Sequence, residues 1–245
     1  PLEGIRVLDL GSMRTAYAAR ILADMGADVV LVEPPTGDPT RRMPPFAGDI
    51  EDANRSLVFL AFNTNKRSMA LDLSDQNERS RFRELTSQAD VILEGFEPGH
   101  LAGIDLDYDA LSETNPGLVF CSVTPFGQTG PYSSYAGSDL HAEAMGGLMM
   151  IQGAADRPPS MSPAFLGYSL PGVHAALGIV HALLARENDG IGQQVEVSMQ
   201  EVIANVHFIV SQYGYNGTMQ LRPGIGSGGA TGIFECANGF IGFSP

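Results

Sequence analysis

Three short segments at the start of the chain constrain its fold more than any other feature. Residues 5–10 (IRVLDL) are apolar enough for a buried strand, residues 15–25 (TAYAARILADM) are typical of a helix, and residues 28–33 (DVVLVE) form a second apolar run. Two buried strands joined through a helix by short connections make a β-α-β unit, whose strands lie parallel. We therefore expect an α/β fold built on a parallel sheet.

A dinucleotide site is the first ligand hypothesis for such a unit. The acidic Glu33 at the end of the second predicted strand is typical of folds that bind dinucleotides. The loop at residues 11–16 (GSMRTA), however, lacks the G-x-G-x-x-G glycines that let a backbone approach a pyrophosphate. A unit with a different ligand, or with none, is therefore favoured.

Alternating strand-like and helical segments continue along the chain. The further predicted strands cover residues 69–73, 89–93, 118–123 and 194–199, and the further predicted helices cover 75–88, 108–115, 138–149, 170–187 and 200–212. Residues 214–232 are rich in glycine and predict a loop, and residues 233–243 predict a hairpin.

Composition disfavours several classes of function. The 245 residues carry 28 acidic and 14 basic side chains, and this net charge of −14 argues against a nucleic-acid-binding surface. No run of about 18 apolar residues is present, so we expect no membrane span. Cys121 and Cys236 predict neither a disulfide framework nor a metal site, and they fit a reducing, cytoplasmic setting. A first residue other than Met and an end within a strand-like run (GFIGFSP) suggest a fragment.

Residues 165–187 predict a turn followed by a long helix at 170–187, whose start provides a candidate anion site. Ser169 is placed to cap it, and Pro171 lies near its first turn. Apolar residues then recur at helical spacing, with small residues between them that allow close packing: Val173, Leu177, Val180 and Leu184. The N-terminus of a helix carries unpaired N–H groups and favours an anion, but the residue there is Tyr168.

Lys66 and Arg67 are a second candidate anion site. They are adjacent cations between two apolar runs and could hold phosphate groups, although their spacing alone favours a solvated turn.

Five motifs occur in order along the chain: PLEGIRVLDL at 1–10, FNTNKRSMALDL at 62–73, ADVILEGFEPG at 89–99, FGQTGPY at 126–132 and GVHAALGIVHALLARENDGIGQQVEVSM at 172–199. Together they resemble the class III CoA-transferases, the family of formyl-CoA and carnitine CoA-transferases. The resemblance covers essentially the whole chain.

The resemblance implies a Rossmann-like large domain with flanking helices, a linker and a smaller domain, in subunits that interlock as a homo- or heterodimer. We accordingly expect residues 1–199 to form the CoA-binding large domain, residues 200–222 the linker helix and loop, and residues 223–245 the beginning of a truncated small domain.

The family reaction moves CoA from an acyl-CoA thioester to a carboxylic acid, with no permanently bound cofactor or metal. An aspartate forms a mixed anhydride and then an enzyme thioester, which divides one difficult exchange into easier steps. Where the family has a Gly-Asp pair, this chain has Gly167-Tyr168. A phenol stays protonated at pH 7 and is a poor nucleophile without a base. Asp139 and Glu143 are the nearest carboxylates in the matching upstream helix, but neither is at the family's nucleophile position.

The resemblance also implies a CoA site. Its residues would be Met13, Arg14, Leu71, Leu73, Ser74, Gly95, Phe96 and Glu97. Two family positions that carry basic residues, one of them an Arg that meets the nucleotide phosphates, align with Gly103 and Pro34 here. Arg14 could restore one of the two missing charges.

Several functions remain open on these grounds. The chain is expected to be one half of a heteromeric or fused CoA-transferase whose partner carries the aspartate, or an enzyme whose chemistry has changed around Tyr168. The alternative is a non-catalytic structural or binding subunit. An acyl-CoA racemase is least favoured, because the His and Asp of related racemases align with Ser138 and Tyr168, and two proton-transfer groups are needed.

Overall fold

The computed structural model describes residues 1–154, 156–206, 215, 217 and 232–243. The chain forms two compact units. The first contains Pro1–Ala136 and Tyr168–Met199, and the second contains Gly137–Gly167 and Gln200–Pro245. The domain boundaries expected from the resemblance, at residues 199 and 222, stay predictions.

A six-stranded sheet organises the first unit. Its strands are β1 (Arg6–Asp9), β2 (Asp28–Glu33), β3 (Arg67–Ala70), β4 (Val91–Glu94), β5 (Val119–Thr124) and β6 (Gln194–Ser198). They lie in the order β3-β2-β1-β4-β5-β6, and every neighbouring pair is parallel. The expected α/β, Rossmann-like parallel sheet is therefore confirmed. Strand order reverses between β1 and β4, which is where open sheets of this kind bind ligands.

Helices connect the strands. They are α1 (Met13–Asp24), α2 (Leu57–Phe62), α3 (Gln76–Thr86), α4 (Tyr108–Ser112), α5 (Asp139–Met145), α6 (Leu166–Asp189) and α7 (Met199–Val206). Side chains cap four of the connecting helices: Ser12 accepts from the Arg14 amide, Ser56 from the Phe59 amide, Asp75 from the amides at 77 and 78, and Asp107 from the Ala110 amide. Each cap satisfies a backbone donor that the helix itself leaves unpaired.

The core lies on both faces of the central strands. All residues of β4 and β5 are buried, as expected for parallel strands covered by helices on either side. Leu8, Ile92 and Phe82 are among the largest fully buried side chains.

Helix α6 differs from the prediction at its start. It begins at Leu166, so Ser169 lies inside the helix and is not its cap. Pro171 lies inside the helix as well. Its missing N–H removes only one hydrogen bond, the one that would reach back to the Gly167 carbonyl, so the helix extends to Leu166 on its N-terminal side. The predicted end at 188–190 is confirmed, because the last helical residue is Asp189.

The predicted apolar face of α6 is not the buried one. Val173, Leu177 and Leu184 are 44%, 53% and 60% exposed. The buried face consists mostly of small residues: Ala175, Ala176, Ile179, Ala182 and Leu183. Close packing explains why the face of small residues is the buried one. A Cβ at Gly172 would lie 3.0 Å from the Tyr17 Cβ, and a Cβ at Gly178 would lie 2.8 Å from the Val195 Cγ1.

Among the helices in the described part of the chain, α6 is long and apolar enough to cross a membrane by length and composition. A core helix of a globular protein can have the same length and composition, and the buried face of small residues on α6 is typical of such a helix.

The second unit contains α5, α7 and an antiparallel hairpin of β7 (Gly232–Cys236) and β8 (Gly239–Phe243). The hairpin confirms the prediction for residues 233–243. The predicted helix at 200–212 is observed as far as Val206, and its remainder lies outside the described residues, as does nearly all of the glycine-rich loop predicted at 214–232.

Candidate functional site

A cavity of about 490 Å³ opens at the carboxyl edge of the sheet, within the first unit. The segments that follow β1, β2, β3 and β4 all contribute to its wall, through Leu10, Gly11, Pro34, Leu71, Asp72, Leu73, Ser74, Phe96, His100 and Ile104. Val32 of β2, Pro39 and Arg79 complete it. Four of the predicted CoA-binding residues therefore lie in one cavity: Leu71, Leu73, Ser74 and Phe96.

The segment after β3 forms one side of the cavity because β3 ends earlier than predicted. The strand stops at Ala70 rather than at residue 73. The Leu71 amide still donates to the Glu33 carbonyl at 2.8 Å, and the chain then turns away from the sheet. The Asp72 carboxylate fixes this turn by accepting from the Ser74 amide at 2.9 Å and from its hydroxyl at 2.7 Å. Those two bonds lower the pKa of Asp72.

The segment after β4 forms the facing side. The Phe96 ring stacks on the His100 ring, with 4.6 Å between ring centroids and 22° between planes. The Phe96 amide donates to the Glu94 carboxylate at 2.7 Å. Burial raises the pKa of Glu94, against the opposing effects of hydrogen bonds from Ser122 and the Phe96 amide and of the Arg14 charge.

Arg14 joins this segment to the start of α1. Its guanidinium donates to the Gly95 carbonyl and to the Glu97 carboxylate, each at 2.8 Å. Gly95 permits the approach, because a Cβ there would collide with the Ser12 hydroxyl. Three further predicted residues, Arg14, Gly95 and Glu97, therefore meet, and Met13 precedes Arg14 as the first residue of α1. A phosphate would have to compete with Glu97 for the Arg14 charge.

Lys66 is neither a phosphate site nor a solvated turn. Its ammonium donates to Asp9 Oδ2 at 2.9 Å, to the Ala16 carbonyl at 2.9 Å and to Asn63 Oδ1 at 2.8 Å. The other Asp9 oxygen accepts from the Thr15 hydroxyl at 2.8 Å. The Lys66–Asp9 pair fixes the loop after β1. The sequence does not reveal it, because the two charges lie in separate motifs.

The neighbouring Arg67 forms a different kind of ion pair. It is bound to Asp28 at the exposed edge of the sheet, with 68% of its own side chain exposed.

Glu33 has no free oxygen for a ribose. Arg41 donates to both of its carboxylate oxygens, at 2.7 and 2.6 Å, and the Asp38 amide and the Ser68 hydroxyl donate as well. Burial alone would raise the pKa of Glu33, but the hydrogen bonds from Arg41, Ser68 and the Asp38 amide, together with the Arg41 charge, outweigh it and lower the pKa to about 2.

Tyr168 lies within α6 and not before it. It is the third residue of the helix and is partly buried. Its amide is one of the four at the helix N-terminus that have no partner within the helix. A carboxylate at this position would therefore lie in the first helical turn, where its negative charge is stabilised.

Asp139 and Glu143 form a buried carboxylate pair in the second unit, one turn apart on α5. Within the described residues, Glu143 Oε1 has no hydrogen-bond partner, whereas Glu143 Oε2 accepts from the Ser162 amide at 2.8 Å. Burial, followed by the Glu143 charge, raises the pKa of Asp139 to about 6, against the effect of the Gly167 amide. A Cβ at Gly167 would collide with this carboxylate. The Asp139 carboxylate can therefore take up or release a proton near pH 6.

Known proteins resemble this chain over most of its length. The sequence profile of CoA-transferase family III matches residues 2–244. The chain is 38% identical over 237 residues to the succinyl-CoA:(R)-benzylsuccinate CoA-transferase subunit BbsE of Thauera aromatica, covering 96% of this chain and 58% of that protein. It is 40% identical over 206 residues to the formyl-CoA:oxalate CoA-transferase of Streptomyces avermitilis, covering 84% of this chain and 49% of the relative.

A solved structure shares the fold. A CAIB/BAIF family protein from Brucella suis superposes with a TM-score of 0.88 at 34% identity, covering 98% of this chain and 65% of that one. The chain thus spans about half to three fifths of the length of the curated relatives named above. Taken with the parallel sheet and the cavity at its carboxyl edge, these matches show that the chain belongs to CoA-transferase family III.

Proposed function

We propose that this protein takes part in the transfer of CoA from an acyl-CoA thioester to a carboxylic acid, and that the cavity at the carboxyl edge of the sheet holds CoA. One observation carries the proposal: Leu71, Leu73, Ser74 and Phe96, which the resemblance assigns to CoA binding, line a single cavity of about 490 Å³. That volume is in the range of pockets for small molecules and cofactors. CoA is substrate here, and no permanently bound cofactor or metal is invoked.

The nucleophilic carboxylate is proposed to come from another polypeptide segment. Tyr168 occupies the place where the family has its aspartate, and a phenyl ester is a weaker acyl donor than an anhydride. One half of a heteromeric or fused enzyme would bind CoA through this chain and react through a partner's aspartate. The relative from Thauera aromatica is itself named a subunit of a CoA-transferase, which supports such an arrangement.

An interlocked dimer with the same or a different chain is part of the proposal. The exposed apolar face of α6, formed by Val173, Leu177 and Leu184, supports it. Large apolar side chains aligned along one helix are typical of a surface that another subunit covers. The domain boundaries at residues 199 and 222 and a cytoplasmic location without nucleic-acid or membrane partners belong to the same proposal.

The second candidate function is a non-catalytic subunit that binds CoA or stabilises its partner and turns over nothing itself. The observation that favours this second function is again that Tyr168 replaces the aspartate. The two functions differ in whether acyl transfer uses the CoA bound by this chain.

Trapping the acyl intermediate tests these functions. The full-length protein would be incubated with an acyl-CoA carrying a labelled acyl group, alone and with a family partner that has the Gly-Asp pair, and then treated with hydroxylamine. We expect acyl label on the partner only, released from it by hydroxylamine, and turnover only in the mixture. Label on this chain alone would contradict a nucleophile from elsewhere. Turnover that persists after the CoA cavity of this chain is blocked by Ser74→Trp would support the non-catalytic subunit.

A further inference from the structure

The cavity proposed to hold CoA lacks two of the positive charges that the family places there. The nucleotide part of CoA carries several negative charges, while this chain has a net charge of −14. The two positions at which the family carries basic residues hold Pro34 and Gly103. Pro34 lines the cavity, and Gly103 directly precedes Ile104, which also lines it. One of the missing cations therefore belongs to the cavity wall, and the other lies next to a residue of that wall.

Arg79 reaches this wall from a different element. It lies in the second turn of α3, is partly buried, and lines the cavity together with Leu73 and Ser74. Its NH1 donates to the Leu73 carbonyl over a long 3.5 Å. This bond holds the guanidinium beside the cavity wall and neutralises none of its charge.

Three other cations near the sheet edge are engaged by carboxylates. Arg14 pairs with Glu97 at 2.8 Å, Arg41 with Glu33 at 2.6 Å and Lys66 with Asp9 at 2.9 Å. Within the described part of the chain, no carboxylate lies within ion-pair distance of Arg79. The anion nearest along the chain in the same wall, Asp72, is turned onto the Ser74 amide and hydroxyl.

We propose that Arg79 binds a phosphate of the CoA nucleotide and replaces the cations that are absent at positions 34 and 103. The inference rests on the proposed function, since it takes the cavity to be a CoA site. Guanidinium groups suit this role because they stay charged and offer paired donors to phosphate oxygens. The stacked Phe96 and His100 rings in the same wall add a flat surface of the kind on which nucleobases stack.

Direct binding measurements on the full-length protein test the proposal. The affinity for CoA, for 3′-dephospho-CoA and for pantetheine would be measured by calorimetry for the wild type and for Arg79→Ala. We expect about 10- to 100-fold weaker CoA binding in the variant, the range for losing one charge-assisted hydrogen-bond pair. Pantetheine has no phosphate, so its affinity should not change. If Arg79→Ala weakens binding of 3′-dephospho-CoA less than binding of CoA, Arg79 binds the 3′-phosphate. If it weakens both equally, Arg79 binds the pyrophosphate.

Arg81→Ala is the matched control. Arg81 lies on the same helix, pairs with Glu78 and is 64% exposed, and it should leave CoA binding unchanged. Ionic strength gives a second readout, because CoA affinity should fall more steeply with added salt in the wild type than in Arg79→Ala.

Three results would overturn the inference: equal CoA affinity in the wild type and Arg79→Ala, an equal loss for pantetheine, or no CoA binding by the wild type. Arg79-dependent binding without acyl transfer would instead leave the inference standing and count against the proposed function.

Discussion

The Lys66 ammonium lies 2.9 Å from the Asp9 carboxylate, and both side chains are almost completely buried, at 1% and 0% exposure. The pair joins the end of β1 to the segment that precedes β3, 57 residues later. Because Asp9 also accepts from Thr15 and from the Gly11 amide, the pair sets the course of the loop that enters α1. The motifs at 1–10 and 62–73 therefore form one structural feature.

Breaking this pair should strongly destabilise the protein. Lys66→Met leaves Asp9 charged and buried without its counter-ion, which costs about 3–5 kcal/mol of unfolding free energy. Urea unfolding measures the loss. Arg67→Met is the control: its pair with Asp28 is largely exposed, so the change should cost no more than about 1 kcal/mol. Equal losses in the two variants would show that the buried pair has no special role.

Gly95 should tolerate no side chain. In Gly95→Ala the new Cβ would collide with the Ser12 hydroxyl and lie 3.2 Å from the Arg14 Cβ, so the segment after β4 must move away from α1. We expect a loss of about 1–3 kcal/mol in stability, typical of overpacking. Gly103→Ala meets nothing within 4 Å and should be nearly neutral. Thermal unfolding of both variants is the measurement, and a neutral Gly95→Ala would contradict the close contact.

Asp139 should make stability depend on pH. Its pKa is raised from 3.8 to about 6 in the folded protein, so the folded state holds the proton more tightly than the unfolded state does. Stability is therefore greatest below the unfolded pKa, falls as pH rises towards about 6, and stays lower above it. Asp139→Asn removes this effect and should be more stable than the wild type at pH 7.5, by on the order of 2 kcal/mol.

The gain in stability from Asp139→Asn should become smaller below pH 5. Denaturant unfolding across pH 4–8 measures this change. Asp109→Asn alters an exposed carboxylate and should show no such trend. A gain for Asp139→Asn that is constant with pH would mean that the carboxylate does not titrate as described.

The exposed face of α6 should mediate assembly. Leu177→Glu places a charge on a side chain that is 53% exposed in the single chain, so the fold should persist while the proposed dimer weakens. Light scattering should report a lower mass for this variant, and circular dichroism an unchanged helix content. Glu187→Gln, near the exposed end of the same helix, is the control. A full-size assembly with Leu177→Glu would place the subunit interface elsewhere.

Local patterns predicted most of the sheet. The β-α-β unit at residues 5–33 was placed within two residues at each end, because buried parallel strands are continuous apolar runs. The family resemblance added Leu71, Leu73, Ser74 and Phe96, which line the cavity. The Lys66–Asp9 pair could not be predicted from local patterns, because an ion pair between residues far apart in the sequence produces no local periodicity.

Helix α6 shows why hydrophobicity alone misplaced a buried face. Its large apolar residues recur at helical spacing, but close packing at Gly172 against α1 selects the face of small residues for the core. The start of the helix was misplaced for a related reason, since Ser169 and Pro171 suit a first turn but are also accommodated one turn later.

Acyl trapping on Tyr168→Asp tests most directly whether this chain keeps a CoA-transferase site that lacks only its carboxylate. The full-length variant would be incubated with an acyl-CoA labelled in the acyl group and treated with hydroxylamine, beside the wild type and Tyr168→Asn. We predict a stoichiometric, hydroxylamine-sensitive acyl adduct at position 168 in Tyr168→Asp, and none in the other two. An adduct on wild-type Tyr168, or no adduct in a Tyr168→Asp protein that binds CoA, would contradict that claim.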